Sequence, residues 1–170
     1  MWVPPFEDQS NVTQLANRDA NVVVEQLRSW NAKAVAQVLE HRGETTIVVP
    51  HELLQATAQK CKEDPALAFN LLSDATCVDR FPLEPRFELN YQLVSIPRGA
   101  RIRLRTAISG QHAVVDSLCP VWPGANWLER EIFDLFGIRF RGHADLRRIL
   151  LPEGFEGAPL RRDFPTEGQR

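Results

Sequence analysis

Residues 87–108, FELNYQLVSIPRGARIRLRTAI, decide the fold. Phe87, Leu89, Tyr91 and Leu93 alternate with Glu88, Asn90 and Gln92. After a turn at Pro97-Arg98-Gly99, Ile102, Leu104 and Ile108 alternate in the same way with Arg103 and Arg105. Successive side chains of a strand point to opposite faces, so a period of two predicts two half-buried strands with one wet face. The short connection predicts antiparallel neighbours.

Upstream, apolar residues at Val22, Val23, Leu27 and Trp30 recur at helical spacing, which predicts an amphipathic helix starting near Asn17 or Asp19. Residues 1–16 read as an irregular lead-in. The turn signal His41-Arg42-Gly43-Glu44 precedes the β-branched run Thr45–Val49, which predicts a hairpin. Pro50 ends that strand, and His51–Lys62 carries Leu53, Leu54, Ala58 and Cys61 on one helical face. Phe69–Val78 reads as a further strand, and Arg80–Arg86, with Pro82 and Pro85, as a connection. The predicted class is α+β, a mixed, mainly antiparallel sheet with helices packed on one face, plus an extended C-terminal tail. Residues 1–150 are read as one domain and residues 151–170 as the tail.

Downstream, residues 112–118 predict one more short strand, and a helix follows. Asn126 is placed to cap it and Glu129 to complete a capping box, while Gly137 is placed to stop it. Leu128, Ile132, Leu135 and Phe136 form its apolar stripe, and Arg130 and Asp134 are i,i+4 partners. Gly142–Asp145 reads as a turn leading into a short helix.

The chemistry of residues 126–165 is rich in charge and poor in nucleophiles. Glu131, Asp134 and His143 are the only set that could form a metal or acid–base site, although a helix dimetal site draws Glu-x-x-His pairs from several helices. Arginine-paired structural carboxylates are favoured. Beyond Pro152 the chain reads EGFEGAPLRRDFPTEGQR, too broken by Pro and Gly for a helix or a strand. Its anchors Phe155, Leu160 and Phe164, interleaved with Arg161, Arg162 and Asp163, are residue types that favour laying on a partner surface.

The 170 residues carry a formal net charge of −2, with 44% hydrophobic and 25% charged residues. That balance suits a globular domain and lacks the basic excess of a nucleic-acid binder; the Arg101, Arg103, Arg105 row reads as a solvated strand face. Cys61, Cys77 and Cys119 are too scattered for an iron–sulfur or zinc site made by this chain alone, and reduced core cysteines of an intracellular protein are expected. No apolar run approaches the roughly 18 residues of a membrane span. Phosphate-cradle, dinucleotide, nucleophile-elbow and zincin motifs are absent.

Glu129-Arg130-Glu131, two residues, Asp134-Leu135-Phe136, six residues, His143, three residues, Arg147, then Arg148-Ile149-Leu150 closely resembles the signature of the so-called 30 kDa subunit of respiratory complex I, the C subunit of bacterial NADH:quinone oxidoreductase. Gly157–Pro165 resembles that family's closing segment. Ala144 stands where the family usually has proline, and Ala158 where a bulkier residue is common.

The resemblance implies a non-catalytic structural subunit of the quinone module. Glu129, Arg130, Glu131, Asp134, His143, Arg147 and Arg148 would then serve as ion-paired signature residues, and Phe155, Leu160 and residues 161–164 as partner interface. It implies no cofactor in this chain, with FMN, iron–sulfur clusters and quinone in partner subunits. The partners would be the large quinone-module subunit and the iron–sulfur subunits. The place would be peripheral, on the cytoplasmic side of the inner membrane, with membrane contact only through the complex and no nucleic acid. Equivalent subunits of a group 4 nickel–iron hydrogenase or a photosynthetic plastoquinone-reducing complex remain alternatives, as does a stand-alone metalloprotein using Glu131, Asp134 and His143.

Overall fold

The computed structural model describes residues 21–165. The lead-in expected at residues 1–16 and the helix start expected near Asn17 or Asp19 lie outside the described residues. Helix α1 occupies residues 21–30 and buries Val23, Val24 and Leu27. Val22 and Trp30, expected on its buried stripe, are exposed instead, and the residues that join the core are Val23, Val24 and Leu27.

Strands β1 (Gln37–His41) and β2 (Glu44–Val48) form the expected hairpin. Its two-residue turn holds Arg42 and Gly43 at φ 51° and 78°, the pair of positive values that matches the twist of the flanking strands. A 3₁₀ turn at His51–Leu53 leads into α2 (Leu54–Glu63). Its buried positions, Leu54, Thr57, Ala58 and Cys61, follow the i, i+3, i+4, i+7 pattern of a helix pressed on one side.

Strands β3 (Leu71–Asp79), β4 (Phe87–Ser95) and β5 (Ala100–Ile108) complete a five-stranded sheet of order β1-β2-β5-β4-β3. β4 and β5 pair in unbroken antiparallel register from Phe87↔Ile108 to Ser95↔Ala100. Only β2 and β5 run parallel within this sheet. Phe87, Leu89, Tyr91, Leu93, Leu104 and Ile47 are fully shielded on one face and join Leu54, Ala58, Cys61 and Ile132 in one core. Each such large apolar side chain contributes about 1.5–3 kcal/mol by leaving water. On the opposite face Arg103 bonds Glu44, and Arg105 bonds Asn90 and Glu88, so the arginine row is a cross-strand charge ladder.

A second, two-stranded parallel sheet joins β6 (Val114–Asp116) to β7 (Arg139–Arg141), with α3 (Ala125–Phe136) as the crossover between them. β7 has a single apolar residue, Phe140, and no periodicity to announce it. α3 packs on β3, and Gly137 ends it in the left-handed region at φ 70°, its N–H donating to Phe133 O.

Two expectations about α3 need correction. The helix starts at Ala125 behind Gly124, with no side-chain cap, and Glu129 does not return to Asn126. Its carboxylate is drawn instead to the donors of the Ser117–Cys119 turn. The short helix expected after Gly142–Asp145 does not form. Residues 146–151 run as irregular chain along α3, where the helix carboxylate Asp134 takes up amides that a helix would have needed.

Candidate functional site

α3 places three charged side chains inward, each with relative exposure below a tenth: Glu129 at 0%, Arg130 at 7% and Asp134 at 1%. Ionised groups at such depth persist only when their hydrogen-bonding capacity is filled. Asp134 collects four donors. Arg148 Nη1 donates to its Oδ1 at 2.6 Å, and the backbone N–H groups of Ile149, Leu150 and Leu151 donate to its Oδ2 at 3.0, 2.8 and 2.9 Å. Burial alone would push its carboxyl up, but those amides and the guanidinium outweigh it and hold it down at about 2.

Arg130 and Asp134 are therefore not partners, although they are one turn apart. Arg130 lies across Trp127, 5.3 Å from the ring centroid, and donates through Nε to Arg147 O and through Nη2 to Arg148 O, each at 3.1 Å. Two helix residues thus bind consecutive backbone groups of residues 147–151 and fix that segment along α3. Arg148 extends the network, its Nη2 donating to Phe155 O at 2.9 Å and Gly157 O at 3.2 Å.

Glu129 serves the other end of α3. Its two oxygens accept from Ser117 Oγ and Leu118 N, both at 2.6 Å, and Cys119 Sγ lies 3.5 Å away. Burial raises its pKa, against the pull of those donors and of His143. Cys119 Sγ, a Glu129 oxygen and a His143 ring nitrogen fall within 4.8 Å of one another. Glu131 is exposed and Asp134 is bound elsewhere, so the alternative metal set of Glu131, Asp134 and His143 is not brought together.

The trio that does assemble is poorly disposed to hold a metal. His143 Nδ1 accepts from Asp145 N at 3.1 Å, which places the ring proton on Nε2, facing Asn126 O at 3.3 Å. The nitrogen left with a lone pair is then Nδ1, which would have to give up the Asp145 amide to take a metal. Burial also pushes the Cys119 thiol up to about 11, away from the thiolate that a metal requires.

Residues 152–165 lie against the domain without regular secondary structure. Leu160 N donates to Leu135 O and Arg161 Nε to Phe136 O, occupying carbonyls that the end of α3 leaves open. Arg86 grips Asp79 through Nε and Nη2 at 2.9 and 2.7 Å, and Asp163 through Nη1 and Nη2 at 2.8 and 2.6 Å. Asp79 Oδ2 also accepts from Arg162 N. Burial opposes the ionised Asp79, yet Arg86 and the amides of Arg162 and Phe81 hold it at about 2. Phe155 and Phe164 stack with centroids 6.1 Å apart. Members of the interface set expected from the sequence are thus bound to their own chain: Arg161 and Phe164 are half-buried, Asp163 is exposed but held by Arg86, and Leu160 remains 52% exposed.

Sequence reasoning missed Arg86, Asp79 and Ser117. Arg86 and Asp163 are separated by 77 positions, so nothing local marks either as the other's partner. Of the two departures, Ala144 is exposed in the turn and Ala158 is buried beside the end of α3.

Residues 47–170 match the family model described as the respiratory-chain NADH dehydrogenase 30 kDa subunit. The chain is 42% identical over 148 residues to the NADH-quinone oxidoreductase C subunit of Geotalea uraniireducens, spanning 87% of this chain and 89% of that one. It is 43% identical over 147 residues to the equivalent C subunit of a Roseiflexus species, spanning 86% and 84%. Among solved structures it is similar to the trypsin-resistant fragment (1–134) of Nqo5, with 30% identity, a TM-score of 0.64, and 75% and 99% of the two chains covered. It is also similar to a chain of the membrane-bound sulfane sulfur reductase, an archaeal respiratory membrane complex, with 25% identity, a TM-score of 0.72 and coverage of 86% and 85%.

Proposed function

Because the chain belongs to the family of the respiratory-chain NADH dehydrogenase 30 kDa subunit, we propose that it is a structural subunit of the quinone module of a proton-translocating NADH:quinone oxidoreductase. It positions neighbours that carry electrons from NADH to quinone and has no reacting group of its own. The observation that carries this reading is the internal engagement of the signature charges: Asp134 holds four donors and Arg148 four acceptors, all from this chain. A carboxylate so engaged holds backbone in place and, kept strongly acidic by its donors, is a poor acceptor for a substrate proton.

FMN, iron–sulfur clusters and quinone belong, in this reading, to partner subunits. The neighbours are the large subunit that shapes the quinone cavity and the iron–sulfur subunits beside it. No helix among the described residues is long and apolar enough to cross a membrane. The membrane is then reached through the complex, from the cytoplasmic side.

Affinity isolation of the tagged chain from its native host tests the proposal. Flavin- and NADH-binding subunits are expected to co-purify, and deletion of the gene is expected to remove NADH:quinone activity from membranes. The likeness to a chain of the sulfane sulfur reductase favours one second reading, the equivalent subunit of a related membrane complex with another donor. Co-purification with hydrogenase or sulfur-reductase subunits, and no NADH-binding subunit, would replace the first reading with the second. Isolation of the chain alone would overturn both.

A further inference from the structure

Two clefts share Phe133 of α3. One, of about 460 Å³, opens between α3 and β7 over Val114, Phe140 and Leu146. The other, of about 270 Å³, lies at the end of α3 over Gly137, Gly157 and Ala158. Among the described residues, the charged groups lining them are all of one sign: Arg139 and Arg141 on the first, Arg148 and Arg161 on the second, with His143 beside them and no carboxylate. Arg141 is neutralised by Asp116 and Arg148 by Asp134. Arg161 donates to a carbonyl, and the Arg139 guanidinium has no partner among the described residues.

An apolar floor with an excess of guanidinium groups on its rim has a definite complement. Aromatic rings and arginines are the side chains on which binding energy concentrates, and opposite charge across the rim fixes register. The whole chain carries net negative charge, which disfavours a nucleic-acid polyanion and leaves a short local acidic feature as the match.

We infer that the groove centred on Phe133 docks an acidic segment of a partner subunit, which seats an aliphatic or aromatic side chain beside Phe133 and faces carboxylates to Arg139 and Arg161. The inference rests on the reading of the chain as a subunit of a larger complex and names the chemistry of one of its contacts. The groove shares Arg148 with the Asp134 network, and the residues named for docking, Phe133, Arg139 and Arg161, lie outside that network.

Two experiments on the assembled complex test it. A benzophenone amino acid placed at Val114, which is 39% exposed at the rim, is irradiated in the native complex and its adduct sequenced. A segment with at least two carboxylates flanking an apolar residue is expected. An adduct on a lipid, on a neutral or basic segment, or on this chain itself overturns the inference. In the second, tagged wild-type and Arg139→Glu chains are expressed together and their ratio in the isolated complex is measured. The variant is expected to be depleted about tenfold, and Arg139→Lys to stay within about twofold. Arg139 is exposed and supports no internal side-chain contact among the described residues, so depletion of the variant does not come from misfolding, and a ratio near one overturns the inference. An acidic adduct on a protein outside any respiratory complex leaves the groove intact and overturns the proposed function.

Discussion

Replacing Asp134 with Asn keeps the shape of the side chain and removes its charge. The native carboxylate is fully buried, with a pKa near 2 against an ordinary value of 3.8. That lowering corresponds to roughly 2 kcal/mol of folding stability at neutral pH. The sign follows from the lowered value: this stability is fully present above pH 4 and is lost as pH falls through 2. Asn can offer one oxygen either to the three amides or to Arg148, and its NH₂ then faces a donor. A cost of about 2–3 kcal/mol follows. For a chain of 170 residues that lowers Tm by roughly 5–10 °C. Calorimetry of the isolated chain between pH 2 and pH 7 reads both effects: the variant melts lower at pH 7, and the gap narrows on acidification. A fall of less than about 2 °C at pH 7, or parallel acid limbs, would refute the account of Asp134 as the hub of residues 147–151.

Arg86→Ala leaves Asp79 buried and unpaired and frees Asp163. About 2–4 kcal/mol of destabilisation is expected by denaturant titration, with faster trypsin cleavage after Arg161 and Arg162. Gly137→Ala meets both a positive φ and a Cβ contact of 2.9 Å with Arg161 Nη2, and a loss of about 1–2 kcal/mol is expected in urea. Burial pushes Cys61 and Cys77 up to about 12 and Cys119 to about 11, so a thiol reagent at pH 8 is expected to label the native chain slowly and all three thiols at once after guanidinium unfolding. Zinc titration of the reduced native chain is expected to show no stoichiometric tight binding, because the His143 nitrogen that carries a lone pair, Nδ1, already accepts from Asp145 N and burial holds the Cys119 thiol protonated.

The strands β4 and β5, the β1–β2 hairpin and the stop at Gly137 were legible because each depends on neighbours within a few residues: alternation of side chains, a turn with positive φ, a left-handed terminator. β7 was not, since Arg139-Phe140-Arg141 has one apolar residue and becomes a strand only where β6 supplies a hydrogen-bonding edge. Glu129 has the spacing of a capping box, and its local reading failed because the turn at Ser117–Cys119 offered better donors from elsewhere in the fold.

The sequence by itself determined the class of fold, the position of α3 and the family, because periodicity and a fixed pattern of charged residues survive without any knowledge of what they touch. Tertiary structure decided the partners. Asp134 turned from Arg130 to Arg148 and three backbone amides, Arg86 bound a carboxylate 77 positions away, and the tail folded first onto its own domain. The physical reason is that a buried charge must be matched wherever a complementary group arrives, and arrival is set by how the layers pack, which spacing along the chain does not encode.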